Sequence, residues 1–535
     1  MLSVHVDPEE ILKQAADHPV KKYRGDNTST FHSYVRDGDV EIPKYTFPKT
    51  GVNSKVAYQV IHDELTLDGN PTLNLASFVH TWMPPEAEQL IMENISKNAA
   101  DQDEYPATQI IHTRCVSMLA DLWKVPKGKK AVGTATAGSS EAIMLGGLAM
   151  KKRWQEKRKA DGKDAYHPNI VFGANAQVAL EKFARYFDVE CRLVPVHEEH
   201  DFIMHPPDAL QFIDENTIGV MVILGSTYTG HFEDVKLMAD LLDKLQEEKG
   251  LDIPIHVDGA SGGFFAPFAY PKLQWGFDIP RVASINTSGH KFGLVYAGLG
   301  WILWQDESLL PKDLIFELHY LGSVEYSFTL NFSKPAAPIL AQMYNFLNLG
   351  FQGYRDIAFK DLRNARLLSR ALEGTKYYKV LSNIHKESGN KNAEDHSPEL
   401  YLPGLPVVSF RFSDSFKEEY PDVKQVWIQN LLRAKGWIVP NYGAPPAEDK
   451  TEMLRVVVRE TMTADLAEHL VADIIQVTES VMTKNSGEGA LKMMAAIGGT
   501  KANANANPTE KHPEEHPHAH HHKHHPKRQT TLANC

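Results

Sequence analysis

Ser284-Ile285-Asn286-Thr287-Ser288-Gly289-His290-Lys291-Phe292-Gly293 is the stretch on which the reading of this chain turns. An apolar run, Val282–Asn286, passes into small and polar residues, then His290-Lys291, then Phe292-Gly293 and a second apolar run, Gly298–Trp304. Lysine is costly to bury, and strands on both sides argue against full exposure. A partly desolvated lysine becomes the nucleophilic amine that Schiff-base chemistry needs. An isolated S-x-H-K is most often a solvated turn, so the weight falls on what lies upstream.

His256-Val257-Asp258-Gly259-Ala260 closes the strand-like run Ile253–Val257 and puts a carboxylate at its end. Further upstream, Thr136-Ala137-Gly138-Ser139-Ser140-Glu141 opens the helical pattern Ala142–Lys159, bringing hydroxyls and free backbone N–H groups to a helix N-terminus. Taken alone, each has a plain alternative: Asp258 as a turn residue, Ser139/Ser140 with Glu141 as a helix cap. Together, in the order phosphate cup, carboxylate, lysine, they match what pyridoxal 5'-phosphate (PLP) requires.

Around these motifs the chain resembles the glutamate decarboxylases of the plant, fungal and bacterial type, in the fold-type I PLP group. The matching residues are Asn74-Leu75-Ala76-Ser77-Phe78, Asn98 to Asp101 with Glu104-Tyr105-Pro106, Gly138-Ser139-Ser140-Glu141-Ala142, Lys182-Phe183-Ala184-Arg185-Tyr186, Thr227-Tyr228-Thr229-Gly230, His256-Val257-Asp258, Ser288 to Gly293, and Asn331-Phe332-Ser333. The likeness runs from about Tyr58 to about Met482. It implies decarboxylation of L-glutamate to 4-aminobutanoate and CO2, with Lys291, His290 and Asp258 as catalytic residues. Ser139, Ser140, Gln177, Thr227, Asp258, Ala260, His290, Lys291 and Ser333 would hold the cofactor, Ser333 by reaching the neighbouring subunit's phosphate. Ser77, Phe78, Asn98 and Asp101 would line the pocket for the substrate's distal carboxylate, and Arg455 would contact a substrate carboxylate. Two carboxylates in contact raise one pKa, so an activity that falls with rising pH as Asp101 loses its proton is expected. The catalytic unit implied is a homodimer, with a hexamer as a larger assembly, and Tyr320 is a weaker candidate for closing the site. Decarboxylation of another acidic or aromatic amino acid, an inactive PLP-fold scaffold, and a metal-binding protein acting through the C-terminal tail stay open as alternatives.

The fold class expected is α/β: an aspartate aminotransferase-like large domain with a mainly parallel sheet, plus a small α+β domain. Short apolar runs alternate with helical patterns over residues 131–305, the signature of a sheet covered on both faces. Ligands in such sheets sit beyond the carboxyl ends of strands, where Thr227, Asp258 and Lys291 fall. A helix is expected over Glu86–Lys97 and another over Asp361–Leu372. Arg455 and Arg459 are expected to share a face of the strand Met453–Arg459. The expected boundaries are 1–72 (an N-terminal segment, with a helical pattern at Pro8–Ala16, packing on a partner), 73–361, 362–482 and a tail, 483–535.

Lys+Arg 56 against Asp+Glu 68 leaves a net charge of -12, which argues against a nucleic-acid or anionic-membrane binder. No run approaches the roughly 20 apolar residues of a membrane span. Three cysteines in 535 residues make no disulfide framework, and a cytoplasmic location is expected. The low-complexity tail contains the histidine-rich run His516–His525, to which no metal role is assigned. Plant relatives end in a tryptophan-bearing, calmodulin-binding helix, whereas the last tryptophan here is Trp437, which argues against that regulation.

Overall fold

The computed structural model describes residues 45–318, 325–389 and 397–482; the Pro8–Ala16 pattern, Tyr320, the 319–324 stretch and the histidine-rich run lie outside them. The chain divides into two units, Met1–Asn70 and Pro71–Cys535. In the first, the helix Ser54–Leu65 is capped by Asn53, whose side chain accepts from the Lys55 N–H at 2.9 Å.

The second unit is built on a seven-stranded sheet. Its strands are β1 (Val132–Thr136), β2 (Asn169–Gly173), β3 (Glu190–Val194), β4 (Thr217–Ile223), β5 (Ile255–Asp258), β6 (Val282–Ser288) and β7 (Gly300–Trp304), in the order β1-β7-β6-β5-β4-β2-β3. Strands β3, β2, β4, β5 and β6 run parallel, as the apolar runs predicted. Every residue of β2, β4, β5, β6 and β7 is buried, which is why these segments read as continuous rather than alternating apolar runs.

One strand is the antiparallel exception in this mainly parallel sheet. β7 pairs antiparallel with both β6 and β1. The physical reason is the length of the connection after β6: residues 289–299 are too few for a crossover, which needs a dozen or more. The chain therefore doubles back, and the reversal carries His290 and Lys291 at the carboxyl end of β6.

Helices cover the sheet. The longest against its centre is Ser139–Ala160, whose Gly146 and Gly147 face the sheet and its flanking helix. A Cβ at Gly146 would lie 2.7 Å from the His256 ring, and one at Gly147 would lie 2.4 Å from Phe183. The glycine pair is thus a packing device: it lets the helix approach closely enough to bury His256 and Phe183.

The C-terminal part forms a second, antiparallel sheet. After the short pair β8 (Phe316–Leu318) and β9 (Glu325–Ser327), strands β10 (Tyr378–Val380), β11 (Val407–Phe412), β12 (Asn441–Gly443) and β13 (Glu452–Val457) assemble in the order β10-β11-β13-β12. The helix expected to begin at Asp361 is instead the latter part of Ala337–Gly374, a helix kinked at Gly350, where φ is +57° and helical geometry fails. It runs on from the large sheet's cover to the small sheet's core, since Tyr354 and Leu368 are both buried but in different clusters.

Two expected boundaries move. The helix expected over Glu86–Lys97 is Pro85–Glu93, and Asn98–Asp101 lie in the turn beyond it. β13 stops at Val457, so Arg459 lies past the strand and does not share its alternation with Arg455. The helix Pro106–Leu122 has no counterpart among the expected elements.

Gly147→Ala should destabilise the fold. Helix propensity gains about 1 kcal/mol for alanine, but overpacking against the buried Phe183 ring costs about 1–3 kcal/mol. A lower midpoint in thermal unfolding of the full chain is the expected result, and an unchanged or higher one would show that Phe183 can shift.

Candidate active site

The carboxyl ends of β4, β5 and β6 and the N-terminus of the helix Ser139–Ala160 enclose a cavity of about 510 Å³. Of the residues singled out in the sequence, Ser139, Ser140, Gln177, Thr227, Asp258, Ala260, His290 and Lys291 all line it. Residues as far apart in sequence as Ser139 and Lys291 meet because each follows the carboxyl end of a strand in one sheet.

At the helix N-terminus, Gly138 takes the cap position and leaves the first turn's N–H groups open, while Ser139 Oγ is paired with Ser288 Oγ. Glu141 makes two contacts with main-chain N–H groups. Its Oε2 accepts from the Ala137 N–H at 2.7 Å, as a first-turn capping acid does, and its Oε1 accepts from the Asn331 N–H at 3.0 Å. Glu141 thus ties the cup to the segment whose Leu330 and Asn331 also line the cavity.

Asp258 is buried, and its Oδ1 accepts from the Asn286 Nδ2 at 3.0 Å and from the Ala260 N–H at 3.0 Å. Asn286 is held in turn. Its Oδ1 is 2.8 Å from His256 Nε2, and His256 Nδ1 is 2.7 Å from Ser284 Oγ. An amide oxygen can only accept, so His256 carries its proton on Nε2 and accepts from the serine hydroxyl on Nδ1. Burial lowers the His256 pKa, which keeps this ring neutral and the tautomer fixed.

Lys291 is 7% exposed; its Nζ donates to Ser261 Oγ at 3.1 Å and lies 5.2 Å from the centre of the Phe78 ring. Burial first, then the Lys291 charge, push the His290 imidazole down to about 4. His290 Nδ1 accepts from the Leu299 N–H at 3.4 Å, so a neutral ring presents its proton on Nε2.

The residues expected at the substrate's carboxylates are distributed differently. Phe78 sits between Lys291 and Arg455, whose guanidinium is 5.2 Å from the same ring. Arg455 donates to Thr227 O at 2.6 Å and Ala76 O at 2.5 Å, which uses two of its five donors. Ser77 Oγ accepts from the Val79 N–H at 3.1 Å. Asn98, Asp101 and Ser333 form a group of their own: Asn98 Nδ2 lies 3.0 Å from Asp101 Oδ1 and 3.4 Å from Ser333 Oγ. None of those three lines the cavity around Lys291.

Several participants had no role assigned from the sequence: Asn286, His256, Ser284 and Ser288, which lie inside the quoted motifs, and Ser261 and Asn175, which lie outside them. A signal was present for three of them. Ser284, Asn286 and Ser288 occupy every second position of a buried strand, so they share a face, and polar groups there must find partners. Ser261 and Asn175 follow strand ends and carried no signal apart from that position.

A buried amine, a carboxylate held in place beside it, and a helix N-terminus with two serines fit the aldehyde, ring nitrogen and phosphate of PLP. The fold and site are those of a PLP-dependent enzyme of the mainly parallel α/β class. Comparison with known proteins narrows the class: residues 48–389 match the model of the pyridoxal-dependent decarboxylase conserved domain. The glutamate decarboxylase of Saccharomyces cerevisiae is 50% identical over 466 residues, covering 82% of this chain and 79% of the relative. That of Solanum lycopersicum is 49% identical, covering 85% and 86%. Among solved structures, Lactobacillus brevis glutamate decarboxylase superposes with a TM-score of 0.77 at 35% identity, covering 84% of this chain and 98% of that one. Oryza sativa TDC, solved with PLP and tryptamine, shares the fold at 15% identity and a TM-score of 0.67. The chain belongs to the pyridoxal-dependent decarboxylase family.

Two outcomes are expected. Asn286→Ala removes a hydrogen bond to a charged carboxylate, worth about 1.5–3 kcal/mol, so PLP affinity should fall by roughly tenfold or more. Titration of the apoprotein with PLP, followed by visible absorbance, measures this; an unchanged affinity would mean that the Ala260 N–H alone holds Asp258. The second concerns pH. His80, His112 and His290 are each held near 4 against an ordinary 6.5, chiefly by burial. Between those values the unfolded chain binds protons that the folded one does not, so stability falls as pH drops through 6.5. Glu233, raised by burial to about 7 from 4.5, and Asp361, also raised by burial, act in the opposite direction, but burial lowers His231, His256 and His385 as well, so the histidines outnumber them. The thermal midpoint should therefore decline by several degrees on acidification from pH 7 to pH 4.5; a flat or rising profile would contradict these shifts.

Proposed function

We propose that this chain catalyses the PLP-dependent decarboxylation of L-glutamate to 4-aminobutanoate and CO2. The observation that carries the reading is the grouping of Lys291, Asp258, Ser139 and Ser140 around one cavity, in a chain that is half identical to a glutamate decarboxylase. When bound, PLP supplies the electron sink that loss of a carboxylate requires.

Each residue contributes a separable task. Lys291 would hold the cofactor's aldehyde carbon, and Asp258 would face its ring nitrogen and keep the proton there. The open N–H groups at the start of the helix Ser139–Ala160, with Ser139 and Ser140, would bind the phosphate, assisted by the positive end of the helix. Gln177, Thr227 and Ala260 would pack around the ring. His290, held near 4 by burial and the Lys291 charge and so neutral above that pH, can donate from Nε2 without adding a second positive charge beside Lys291. Arg455 keeps three donors free of the main chain and would take a substrate carboxylate in the planar fork that suits it. Decarboxylation consumes one proton per turnover, so a closed site must draw that proton from a nearby donor.

The placement of Asn98, Asp101 and Ser333 supports a homodimeric catalytic unit. They lie together outside the cavity of their own chain, where a second copy could meet them. Trp82, Met92, Ile95, Leu347 and Phe351 are exposed on neighbouring helices and connections, an apolar surface that a partner would cover. In that assembly the distal carboxylate of glutamate would be read by residues from both protomers. A cytoplasmic location fits the free thiol of the buried Cys115. No described helix is long and apolar enough to cross a membrane.

The test is CO2 and 4-aminobutanoate release from L-glutamate with added PLP, comparing the full chain with Lys291→Ala. Turnover by the native chain, lost by a factor of about a thousand or more in the variant, is the expected result. Turnover on another amino acid in place of glutamate would overturn the substrate, and turnover that survives in Lys291→Ala would overturn the role of the lysine.

A further inference from the structure

Residues 71–80 cross between the small antiparallel sheet and the turn that carries Lys291, and the small sheet holds them by their carbonyl groups. Val457 N–H donates to Leu75 O at 2.9 Å and Ile438 N–H donates to Leu73 O at 3.0 Å, so main-chain bonds fix the centre of the segment. Arg455 takes Ala76 O. Arg459 takes three more: Val79 O from Nη1, and Pro71 O and Asn74 O from Nη2 at 2.9 and 3.0 Å. Six carbonyls within nine residues are thus bonded to the small sheet or its margins, half of them by one guanidinium.

The far end of the segment reaches the site. His80 N–H donates to His290 O at 2.8 Å, one residue from Lys291, and the Phe78 ring lies against the Lys291 amine. Arg459 itself is 7% exposed and lines a small cavity of about 40 Å³ with Phe78, His80, Ser261, Lys291 and Asp361. A buried guanidinium is expensive unless its donors are used; here three main-chain carbonyls accept from its two Nη atoms, while the buried Nε has no hydrogen-bond partner. Its stem could have been replaced by any apolar side chain if filling space were the only requirement. What the fork supplies is three fixed donor directions onto carbonyls at both ends of one segment.

We infer that Arg459 is a positioning residue for the reaction: it clamps residues 71–79 at both ends and so sets where Ser77 and Phe78 stand relative to Lys291. The inference rests on the glutamate-decarboxylase reading for the substrate, but the clamp itself has a readout that needs no substrate. Lysine has a single donor centre and cannot span the three carbonyls, so Arg459→Lys keeps the charge and most of the volume while losing the clamp. Arg459→Gln loses the charge as well.

The experiment compares full-length native protein, Arg459→Lys and Arg459→Gln, each loaded with PLP. Amide hydrogen exchange over residues 71–80 should quicken by about tenfold or more in both variants, the equivalent of about 1.4 kcal/mol of local opening, while peptides covering β5 and β6 exchange as before. The KM for glutamate should rise by a similar factor with kcat changed far less, and the visible absorbance of the bound cofactor should stay as in the native protein. Unchanged exchange over 71–80 would overturn the clamp, because the main-chain bonds would then hold the segment alone. Exchange raised throughout the chain, with cofactor lost, would overturn it too, because Arg459 would then be a general prop of the fold. If the native protein leaves glutamate untouched, the substrate reading fails and the exchange result alone decides the clamp.

Discussion

A lysine amine and an aspartate carboxylate must be kept inside the protein at the end of one sheet, and most of the architecture around them answers that constraint. Neither group could remain there unpartnered, since a buried charge without hydrogen bonds costs several kcal/mol. Asp258 is served by the Asn286 amide and the Ala260 N–H, and Lys291 by Ser261. The partners have partners. Asn286 is oriented by His256, His256 by Ser284, and the room for His256 exists because the covering helix has glycine at position 146. Removing one member leaves the next unsatisfied, so the chain of contacts acts as a unit.

Strand β6 shows how one segment serves both stability and chemistry. Its residues are all buried, yet four of the seven are polar. Ser284, Asn286 and Ser288 face one side, where they meet His256, Asp258 and Ser139. Ile285 faces the other and joins the apolar core. The period of two in the strand therefore separates the core from the site with a single residue's thickness of backbone between them. The short return into β7 then turns the chain sharply enough to project His290 and Lys291 over the strand ends.

Much of this was legible beforehand, for identifiable reasons. Lys291, Asp258, Thr227 and the serine cup each follow a short apolar run or open a helix, and in a parallel sheet those positions converge by topology alone. The likeness to glutamate decarboxylases supplied the reaction. Less was legible where local pattern and tertiary demand part company. The antiparallel course of β7 depended on a connection too short to cross over. The kink at Gly350 let a single helix serve two sheets, so no boundary at residue 361 is visible in its backbone. Arg455 and Arg459 look like a pair on a strand face, but the strand ends between them and each guanidinium reaches a different part of the 71–79 segment.

By itself, the sequence determined the class of fold, the cofactor and the residues that follow strands and helix starts, because hydrophobic periodicity and local motifs report positions along the chain. Tertiary structure alone decided which polar groups meet: the His256–Asn286–Asp258 contacts, the tie between Glu141 and Asn331, and the hold of Arg459 on carbonyls nearly four hundred residues away. The same holds for the separation of Asn98, Asp101 and Ser333 from their own chain's cavity. Such contacts depend on directions and distances between elements, and a hydrogen bond is lost within an ångström or a few tens of degrees, a precision that spacing along the chain does not encode.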